Sequence, residues 1–251
     1  MWFTLTMEGY GPSTYGDRIA EVFDTWYGER LDPALAVEFL ADLARGGRAL
    51  ELGVGTGRVA VPLARRGVAV TGVEASEAMV AKLRSKPGGE RIEVVVGDFG
   101  DVAVDGRFDL VYAPFTTFFS LDTQERQIDC LRQVADHLEV GGSFVMDAFV
   151  PDPSRFGTTN QMVSTDLGEL DHVVLDAMRH DPVAQTIEGH HILVAESAVR
   201  LFPLRLRYCW PTELDAMALV AGLRLSARYG DYDLVPFDAS CGHHVSVYRP
   251  G

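Results

Sequence analysis

The chain has 251 residues, of which 47% are hydrophobic. That proportion is sufficient to bury one large core, so one domain that carries an insertion is favoured over two domains. The 36 acidic residues outnumber the 22 basic residues and give a formal charge of −14. Because nucleic-acid binders need basic surface to displace counterions from phosphates, we expect a small-molecule partner and no nucleic acid.

The sequence carries no mark of secretion or membrane insertion. Residues 1–6 contain neither a basic leader nor a long apolar run, and no stretch of about 18 apolar residues occurs. The three cysteines, Cys130, Cys209 and Cys241, are scattered and odd in number. This pattern favours a reducing compartment, so we expect a cytoplasmic protein without membrane contact.

The N-terminal part predicts helices. Residues 10–30 are rich in aromatic side chains, and apolar residues recur at helical spacing from Ile19 to Phe23. An amphipathic helix that packs on the core explains this spacing. A second helix is predicted over 33–44, and the glycines at 46–47 supply its C-terminal cap.

A glycine-rich stretch follows at 48–58. A short apolar run ends at Glu51, and Gly53, Gly55 and Gly57 then stand at every second position before a helical pattern opens. This order indicates a strand, a tight turn and a helix start. Glycine tolerates positive φ and the close approach of a ligand, and a helix N-terminus offers unpaired N–H groups. The turn therefore suits a polar or anionic ligand; a plain structural turn is the alternative.

Two further predicted strands end in acidic residues. Residues 68–73 predict a buried strand with Glu74 at its C-terminal end, and Ser76 is a candidate N-cap of the next helix. Residues 92–96 predict the following strand, which leads to Asp98. A carboxylate at the position of Glu74 can accept hydrogen bonds from both hydroxyls of a ribose. The alternative is a solvated loop acid.

The alternation of strand and helix continues. Residues 108–112 predict a fourth strand, an aromatic loop follows at 113–119, a helix is capped near Thr123, and 144–150 predict a fifth strand. The glycines at 141–142 are expected to end that helix. Such alternation requires a parallel sheet with right-handed crossovers, and ligands bind at the C-terminal strand ends of such a sheet.

The glycine spacing distinguishes two cofactor families. The dinucleotide fingerprint is G-x-G-x-x-G, whereas Arg58 stands where its third glycine belongs. The acid Glu51 followed by three alternate glycines resembles motif I of the class I S-adenosylmethionine (SAM) dependent methyltransferases. This resemblance implies an α/β fold with a Rossmann-like, mostly parallel seven-stranded sheet. It also implies SAM as the cofactor and S-adenosyl-L-homocysteine (SAH) as the product.

The resemblance also assigns cofactor-binding residues. In the family an N-terminal cap lends a tyrosine hydroxyl, and often an arginine, to the SAM carboxylate; Tyr15 is the first choice here and Arg30 the second. Asp98 would accept from the adenine amino group while Phe99 packs on the ring. The full set expected to bind the cofactor is Tyr15, Arg30, Glu51, Gly53, Gly55, Gly57, Glu74, Ala75, Met79, Gly97, Asp98, Phe99, Ala113 and Phe118.

The remaining chain changes character at residue 154. Short β-prone runs separated by turn residues predict antiparallel strands over 154–207, where the family commonly has a substrate lid or a dimer contact. Residues 207–233 resemble small-molecule methyltransferases of secondary metabolism of the actinobacterial type. We expect a helical cap at 1–46, a SAM-binding core at 47–153, an inserted β lid at 154–207 and the rest of the core at 208–251; a homodimer is one expected assembly.

The expected reaction is methyl transfer to a small aromatic or amine-bearing acceptor, at nitrogen or an aromatic carbon, with oxygen as a further option. Positioning removes much of such a barrier, so a dedicated base is optional. The acceptor pocket is expected between the aromatic loop and a lid tip around His180. The candidate catalytic residues are His180, His244 and Tyr27, with His243 as a third histidine; Phe115, Phe119 and Trp210 are the candidate substrate contacts. A packed or solvated side chain is the alternative for each histidine.

Other functions are weighed against this one. Adjacent histidines at 190–191 and at 243–244 face opposite sides of a strand, so no metal site is expected. A nicotinamide oxidoreductase is disfavoured by the glycine spacing and by the lack of a Tyr-x-x-x-Lys pair. A non-catalytic SAM-binding or regulatory module stays open, because binding motifs are not catalytic motifs.

Overall fold

The computed structural model describes residues 7–28, 33–156, 161–166 and 172–251. Within these ranges the helices are α1 (Thr14–Ile19), α2 (Phe23–Gly28), α3 (Ala34–Ala44), α4 (Ala60–Arg65), α5 (Glu77–Ser85), α6 (Gln124–His137) and α7 (Pro211–Val220). The strands are β1 (Arg48–Leu52), β2 (Ala69–Glu74), β3 (Glu93–Val96), β4 (Phe108–Ala113), β5 (Leu138–Phe149), β6 (Gln161–Asp166), β7 (His172–Asp181), β8 (Thr186–Ala195), β9 (Ala198–Arg207), β10 (Leu223–Tyr229) and β11 (His243–Pro250). Arg30 lies outside the described residues.

A seven-stranded sheet forms the centre of the fold. Its order is β10-β11-β5-β4-β1-β2-β3. Strands β1 to β5 are parallel, and β11 pairs antiparallel with both β5 and β10. This confirms the predicted sheet. Because β1 lies between β2 and β4, the loops after these three strands open at one edge of the sheet.

Helices cover both faces of this sheet, as a buried parallel sheet requires. On one face α6 and α7 pack over a cluster that includes Phe108, Phe144 and Leu131. On the other face α3 and α4 pack over a cluster that includes Leu40 and Tyr112. None of the described helices has the length and apolar character needed to cross a membrane.

Two boundaries differ from the sequence prediction. The N-terminal amphipathic segment forms two short helices with a turn between them, in which Val22 donates its N–H to the carbonyl of Ile19. Helix α6 ends at His137, and the glycines at 141–142 lie within β5, where Gly141 takes a φ of 82°. The two glycines therefore mark an irregularity in the hydrogen-bond ladder between β4 and β5, not the end of the helix.

The predicted antiparallel insertion is confirmed. Strands β6, β7, β8 and β9 form a separate four-stranded antiparallel sheet, which we call the inserted sheet. Phe202 of β9 packs in one cluster with Ile19 of α1 and Met79 of α5. The N-terminal helices are thus held between the central sheet and the inserted sheet.

A buried polar cluster fixes the inserted sheet to the core. The guanidinium of Arg207, at the end of β9, donates to Gln127 Oε1 at 2.6 Å and to Glu213 Oε1 at 2.7 Å. The amide of Gln127 donates in turn to the carbonyl of Arg207 at 2.8 Å. Gln185 of the turn before β8 donates to Glu213 Oε2 at 2.7 Å. Helices α6 and α7 therefore both hold the end of β9.

Candidate functional site

A cavity of about 440 Å³ opens at the C-terminal ends of β1, β2 and β4. Its walls come from the glycine turn after β1, from the end of β2, from the loop after β4 and from the N-terminal helices. Three residues of the inserted sheet, His191, Leu204 and Leu206, complete it. The predicted site residues that line it are Tyr15, Tyr27, Glu51, Gly53, Glu74, Ala75, Asp98, Phe99 and Phe115.

The turn after β1 requires glycine for two physical reasons. Gly53 and Gly57 have φ angles of 70° and 74°, where side chains are strained. A Cβ on Gly53 would also lie 2.6 Å from Cγ2 of Thr117, and one on Gly57 would lie 2.9 Å from Leu83. The turn is therefore packed between the loop after β4 and helix α5.

Glu74 organises the backbone at the end of β2. Its Oε2 accepts the N–H of Gly55 at 2.9 Å, and its Oε1 accepts the N–H of Ser76 at 2.8 Å. Burial raises the pKa of this carboxyl group. Since a carboxylate has about four acceptor positions, these backbone contacts leave it able to accept from a ligand as well. The hydroxyl of Ser76 accepts from Met79 N, which confirms the predicted N-cap.

Glu51 is a buried acid at the end of β1. The hydroxyl of Tyr112 donates to its Oε2 at 2.8 Å. Burial raises the pKa of Glu51 to about 8, and the neighbouring charge of Arg58 opposes this effect. The carboxyl group is thus largely protonated at neutral pH in the ligand-free protein.

Asp98 has a fixed orientation at the end of β3. One carboxylate oxygen accepts the N–H of Gly100 at 2.8 Å, and the other accepts from Arg126 at 2.6 Å. Both Asp98 and Arg126 line the cavity, beside Phe99. The carboxylate is therefore held by a charge-assisted bond close to an aromatic ring.

Aromatic side chains and one arginine form the wall nearest the N-terminus. The hydroxyls of Tyr15 and Tyr27 lie 3.0 Å apart, and burial raises the pKa of Tyr15 well above its ordinary value. The guanidinium of Arg58 lies 4.1 Å from the centre of the Phe115 ring and donates to the carbonyl of Tyr27 at 2.9 Å. Arg58 therefore connects the glycine turn, the N-terminal helices and the loop after β4.

The loop after β4 is strained. Phe115 and Thr116 have φ angles of 55° and 66°, which side chains rarely adopt. The buried carboxylate of Asp147, in β5, accepts the N–H of Phe115 at 2.7 Å, and the carbonyl of Asp147 accepts the N–H of Thr116 at 3.1 Å. Strain of this kind persists only where the surroundings impose it, and it is common at functional sites.

Comparison with known proteins agrees with this geometry. Residues 49–142 match the family described as a methyltransferase domain. The chain is also 32% identical over 236 residues to the cypemycin N-terminal methyltransferase of a Streptomyces species, covering 91% of this chain and 94% of that protein. It is a class I SAM-dependent methyltransferase. SAM is accordingly its cofactor and SAH its product, and the residues at the ends of β1, β2 and β3 offer the acceptors that a ribose and an adenine need.

Solved structures place the methyltransferase among natural-product enzymes. The CcbJ methyltransferase of Streptomyces caelestis is 45% identical, with a TM-score of 0.90, and the match covers 96% of this chain and all of that one. The sugar N-methyltransferase KedS8 of Streptoalloteichus is 25% identical, with a TM-score of 0.65, over 96% of this chain and 98% of that one. The chain is thus related to N-methyltransferases of secondary metabolism.

Several predicted residues of the methyltransferase do not line the cavity. Phe118 and Phe119 belong to the short helical turn Thr117–Ser120 and are fully buried in the core. Met79 is buried against α1, and Ala113 lies inside the sheet. Trp210 is partly exposed before α7. The remaining predicted residues outside the lining are Gly55, Gly57 and Gly97.

Two candidate histidines also lie elsewhere. His244 is buried next to Ser246, and its pKa is lowered to about 3 by burial and by the charges of Arg228 and His243. It does not line the cavity at the strand ends. His180 lies at the end of β7, as expected of a hairpin tip, but it is buried and stacks on Phe156. It lines a second, smaller cavity and not the first.

Sequence reasoning missed several contributors to the site. Arg58 was noticed only for its departure from the dinucleotide fingerprint, and Asp147 only as part of a strand. His191 lines the cavity although its neighbour His190 does not. The alternation of side chains along a strand could have separated these two histidines, but only once the inward face of β8 was known.

Proposed function

We propose that this enzyme transfers the methyl group of SAM to a nitrogen of a small-molecule acceptor in natural-product biosynthesis. The observation that carries this proposal is the wall of aromatic faces, Tyr15, Tyr27 and Phe115, beside the glycine turn. As a nitrogen takes a methyl group it becomes cationic, and aromatic faces attract a cation by about 0.5 to 2 kcal/mol. Two similar proteins, the cypemycin N-terminal methyltransferase and the sugar N-methyltransferase KedS8, support the same acceptor atom.

The proposal assigns the cofactor contacts as follows. Glu74 accepts the two ribose hydroxyls, Asp98 accepts from the adenine amino group, and Phe99 packs on the adenine ring. Tyr15 donates to the carboxylate of the methionine part. Bound SAM supplies the methyl group from its sulfonium sulfur. That sulfur becomes the neutral thioether of SAH. The protein's own contribution is to exclude water and to orient the acceptor nitrogen in line with that bond.

The proposal also includes the division into units. The helices before residue 46 cap the cavity, residues 47–153 bind the cofactor, residues 208–251 complete the core, and the inserted sheet covers the acceptor. The contact of Phe202 with the N-terminal helices supports this arrangement. Sedimentation velocity of the purified protein tests whether it forms a homodimer.

Two measurements test the proposed function. Calorimetric titration with SAM and SAH should show binding, whereas NAD should give no heat. Release of SAH should then be followed against a panel of primary and secondary amines, phenols and electron-rich aromatic rings. We expect turnover with amines. Turnover confined to phenols or ring carbons would contradict nitrogen as the acceptor, and tight SAM binding without turnover on any acceptor would indicate a binding module.

A further inference from the structure

A second cavity lies under the inserted sheet, next to the first. Its volume is about 200 Å³, and its lining is mostly apolar, with Phe149, Met178 and Ile187 among the apolar side chains and Asp152 and Arg155 among the charged ones. Three residues, His191, Leu204 and Leu206, line both cavities. The two spaces therefore meet at the inward face of β8 and β9, and we call this meeting point the junction.

The second cavity is large enough for part of a ligand. An apolar cavity of about 150 Å³ in another protein holds a benzene molecule, so about 200 Å³ accommodates a ring or a short alkyl group. Within the lining, Nε2 of His180 lies 2.7 Å from the hydroxyl of Tyr208, so these two polar groups satisfy each other. The chamber thus favours an apolar occupant.

The junction carries a polar pair at the edge of this apolar space. Asp176 and His191 are direct cross-strand partners in β7 and β8, and Nδ1 of His191 is hydrogen-bonded to the carboxylate of Asp176. In the neutral imidazole this bond places the proton on Nδ1 and makes Nε2 the acceptor. Among the residues that the structure describes, no hydrogen bond to Nε2 is formed.

We propose that the second cavity binds the apolar part of the acceptor, and that Nε2 of His191 accepts a hydrogen bond from the N–H of the acceptor amine at the junction. This inference rests on the proposed function and extends it to a substrate class, namely an amine with a ring or short alkyl substituent. The carboxylate of Asp176 holds the imidazole with its proton on Nδ1, so that Nε2 accepts from the neutral amine whose lone pair attacks the methyl group. His191 is then a substrate-binding residue, and Asp176 is a positioning residue that acts through it.

The probe is benzylamine, which combines one ring with one amine, and its matched control is benzyl methyl ether, which has no N–H or O–H donor. Dissociation constants are measured by ligand-observed NMR with the protein saturated with SAH. The variant His191→Phe keeps a ring at the junction but removes the acceptor atom. We expect it to weaken benzylamine binding about tenfold, the loss of one hydrogen bond, and to leave the ether unchanged. His190→Phe, on the opposite face of β8, should affect neither ligand.

A second pair of variants tests the chamber itself. Ile187→Trp fills the second cavity, whereas Ile192→Trp makes the same substitution on the outward face of β8. We expect Ile187→Trp to abolish saturable binding of benzylamine and of benzyl methyl ether, and Ile192→Trp to retain it. The affinity for SAH should be unchanged in both variants. If Ile187→Trp does not fold, Ile187→Phe replaces it.

The outcomes separate this inference from the proposed function. Equal benzylamine affinity in wild type and Ile187→Trp would overturn the chamber as the binding site, and an equal loss of both probes in His191→Phe would overturn the role of Nε2. Failure of wild type to bind benzylamine would overturn the substrate class. If these binding results are as expected and no amine is methylated, the inference stands and the proposed function fails.

Discussion

The carboxylate of Asp147 holds the backbone of Phe115 in a conformation that phenylalanine does not otherwise favour. The N–H of Phe115 donates to Oδ1 of Asp147 at 2.7 Å, and the φ of Phe115 is 55°. The same carboxylate accepts from the hydroxyl of Tyr232 at 2.5 Å, and its Oδ2 lies 2.9 Å from Nε2 of His243. One buried acid therefore fixes the aromatic wall of the cavity.

Asp147→Asn should release this loop. The amide oxygen accepts from at most two of the three donors, so one donor loses its acceptor. We therefore expect a loss of about 1 to 3 kcal/mol in the free energy of unfolding and a higher KM for SAM. Urea unfolding and initial-rate kinetics measure the two effects. The exposed Asp105→Asn is the control and should change neither. A wild-type KM in Asp147→Asn would show that the loop holds its conformation without the carboxylate.

The pKa of His243 gives an independent test of the same contact. Burial acts to lower this pKa, but the hydrogen bond and charge of Asp147 outweigh burial and raise it. The stabilisation from the pair is fully present below the unfolded value of about 6.5 and is lost as the pH rises through the folded value. NMR titration should show the raised pKa in wild type and a value below 6.5 in Asp147→Asn.

Glu74→Ala should weaken SAM binding. Each hydrogen bond from a ribose hydroxyl to the charged carboxylate contributes about 1.5 to 3 kcal/mol, so we expect at least a tenfold loss of affinity by calorimetry. Because Glu74 also holds the N–H groups of Gly55 and Ser76, the melting temperature is measured alongside. Glu77→Ala, at an exposed position of α5, is the matched control. Unchanged SAM affinity in Glu74→Ala would remove Glu74 from the site.

Glu51→Gln should change how stability depends on pH. The folded pKa of Glu51 is raised from 4.5 to about 8. Between these pH values the unfolded chain ionises while the folded carboxyl group keeps its proton, so the stability present below pH 4.5 is lost as the pH rises to about 8. Glutamine stays neutral and can still accept from Tyr112. We expect the stability of the variant relative to wild type to increase with pH over this interval, by at most about 1.4 kcal/mol per unit, and then to level off. A difference that is constant from pH 5 to 8 in urea unfolding would contradict the buried, neutral carboxyl group.

The N-terminal helices should become more protected when SAM binds. Their side chains Tyr15 and Tyr27 line the cavity. We propose that these helices close over the ligand and exclude water. Hydrogen exchange of the described part of the expected cap, residues 10–28, should slow on addition of SAM. Peptides from α6, beyond the first turn, serve as the internal reference. Equal exchange with and without SAM would argue against a cap.

His244→Gln should leave turnover and its pH profile unchanged, since His244 is buried away from the cavity. The variant should nevertheless alter acid stability. The folded pKa of His244 is about 3, below the unfolded value of 6.5. As the pH falls from 6.5 to 3, the unfolded chain takes up a proton that the folded protein does not, so the wild-type protein becomes less stable. The variant should therefore gain stability relative to wild type over that interval in urea unfolding. A large fall in kcat would restore His244 as a candidate base.

Much of the fold could be predicted because local patterns determine it. The acid and three glycines after β1 specify a turn that other residues cannot adopt, and alternation of strand and helix imposes a parallel sheet. Because the C-terminal ends of parallel strands meet at one edge of a sheet, the sequence alone predicts Glu51, Glu74 and Asp98 as neighbours.

The acceptor side could not be predicted in the same way. Whether Phe115 or Phe119 lines the cavity depends on a four-residue helical turn, Thr117–Ser120, that the composition does not reveal. His180 and His191 lie on one hairpin, and only the register of β7 against β8 shows that Asp176 faces His191. The importance of Asp147 depends on contacts with residues 32, 85 and 96 positions away. Pairings over such distances carry no local signal.

The buried cluster around Arg207 determines where this enzyme can be recombined with its relatives. Breaking a buried ion pair by removing one partner costs about 3 to 5 kcal/mol, so a chimera cut through Arg207 and Glu213 would inherit an unmatched charge. A graft of residues 154–206 leaves that pair intact and exchanges most of the surface that faces the acceptor. The Gln185 position must then be kept, because it bonds Glu213 from within the grafted segment. Changes of acceptor preference among natural homologues should accordingly accumulate within residues 154–206, while Gln185, Arg207 and Glu213 are kept.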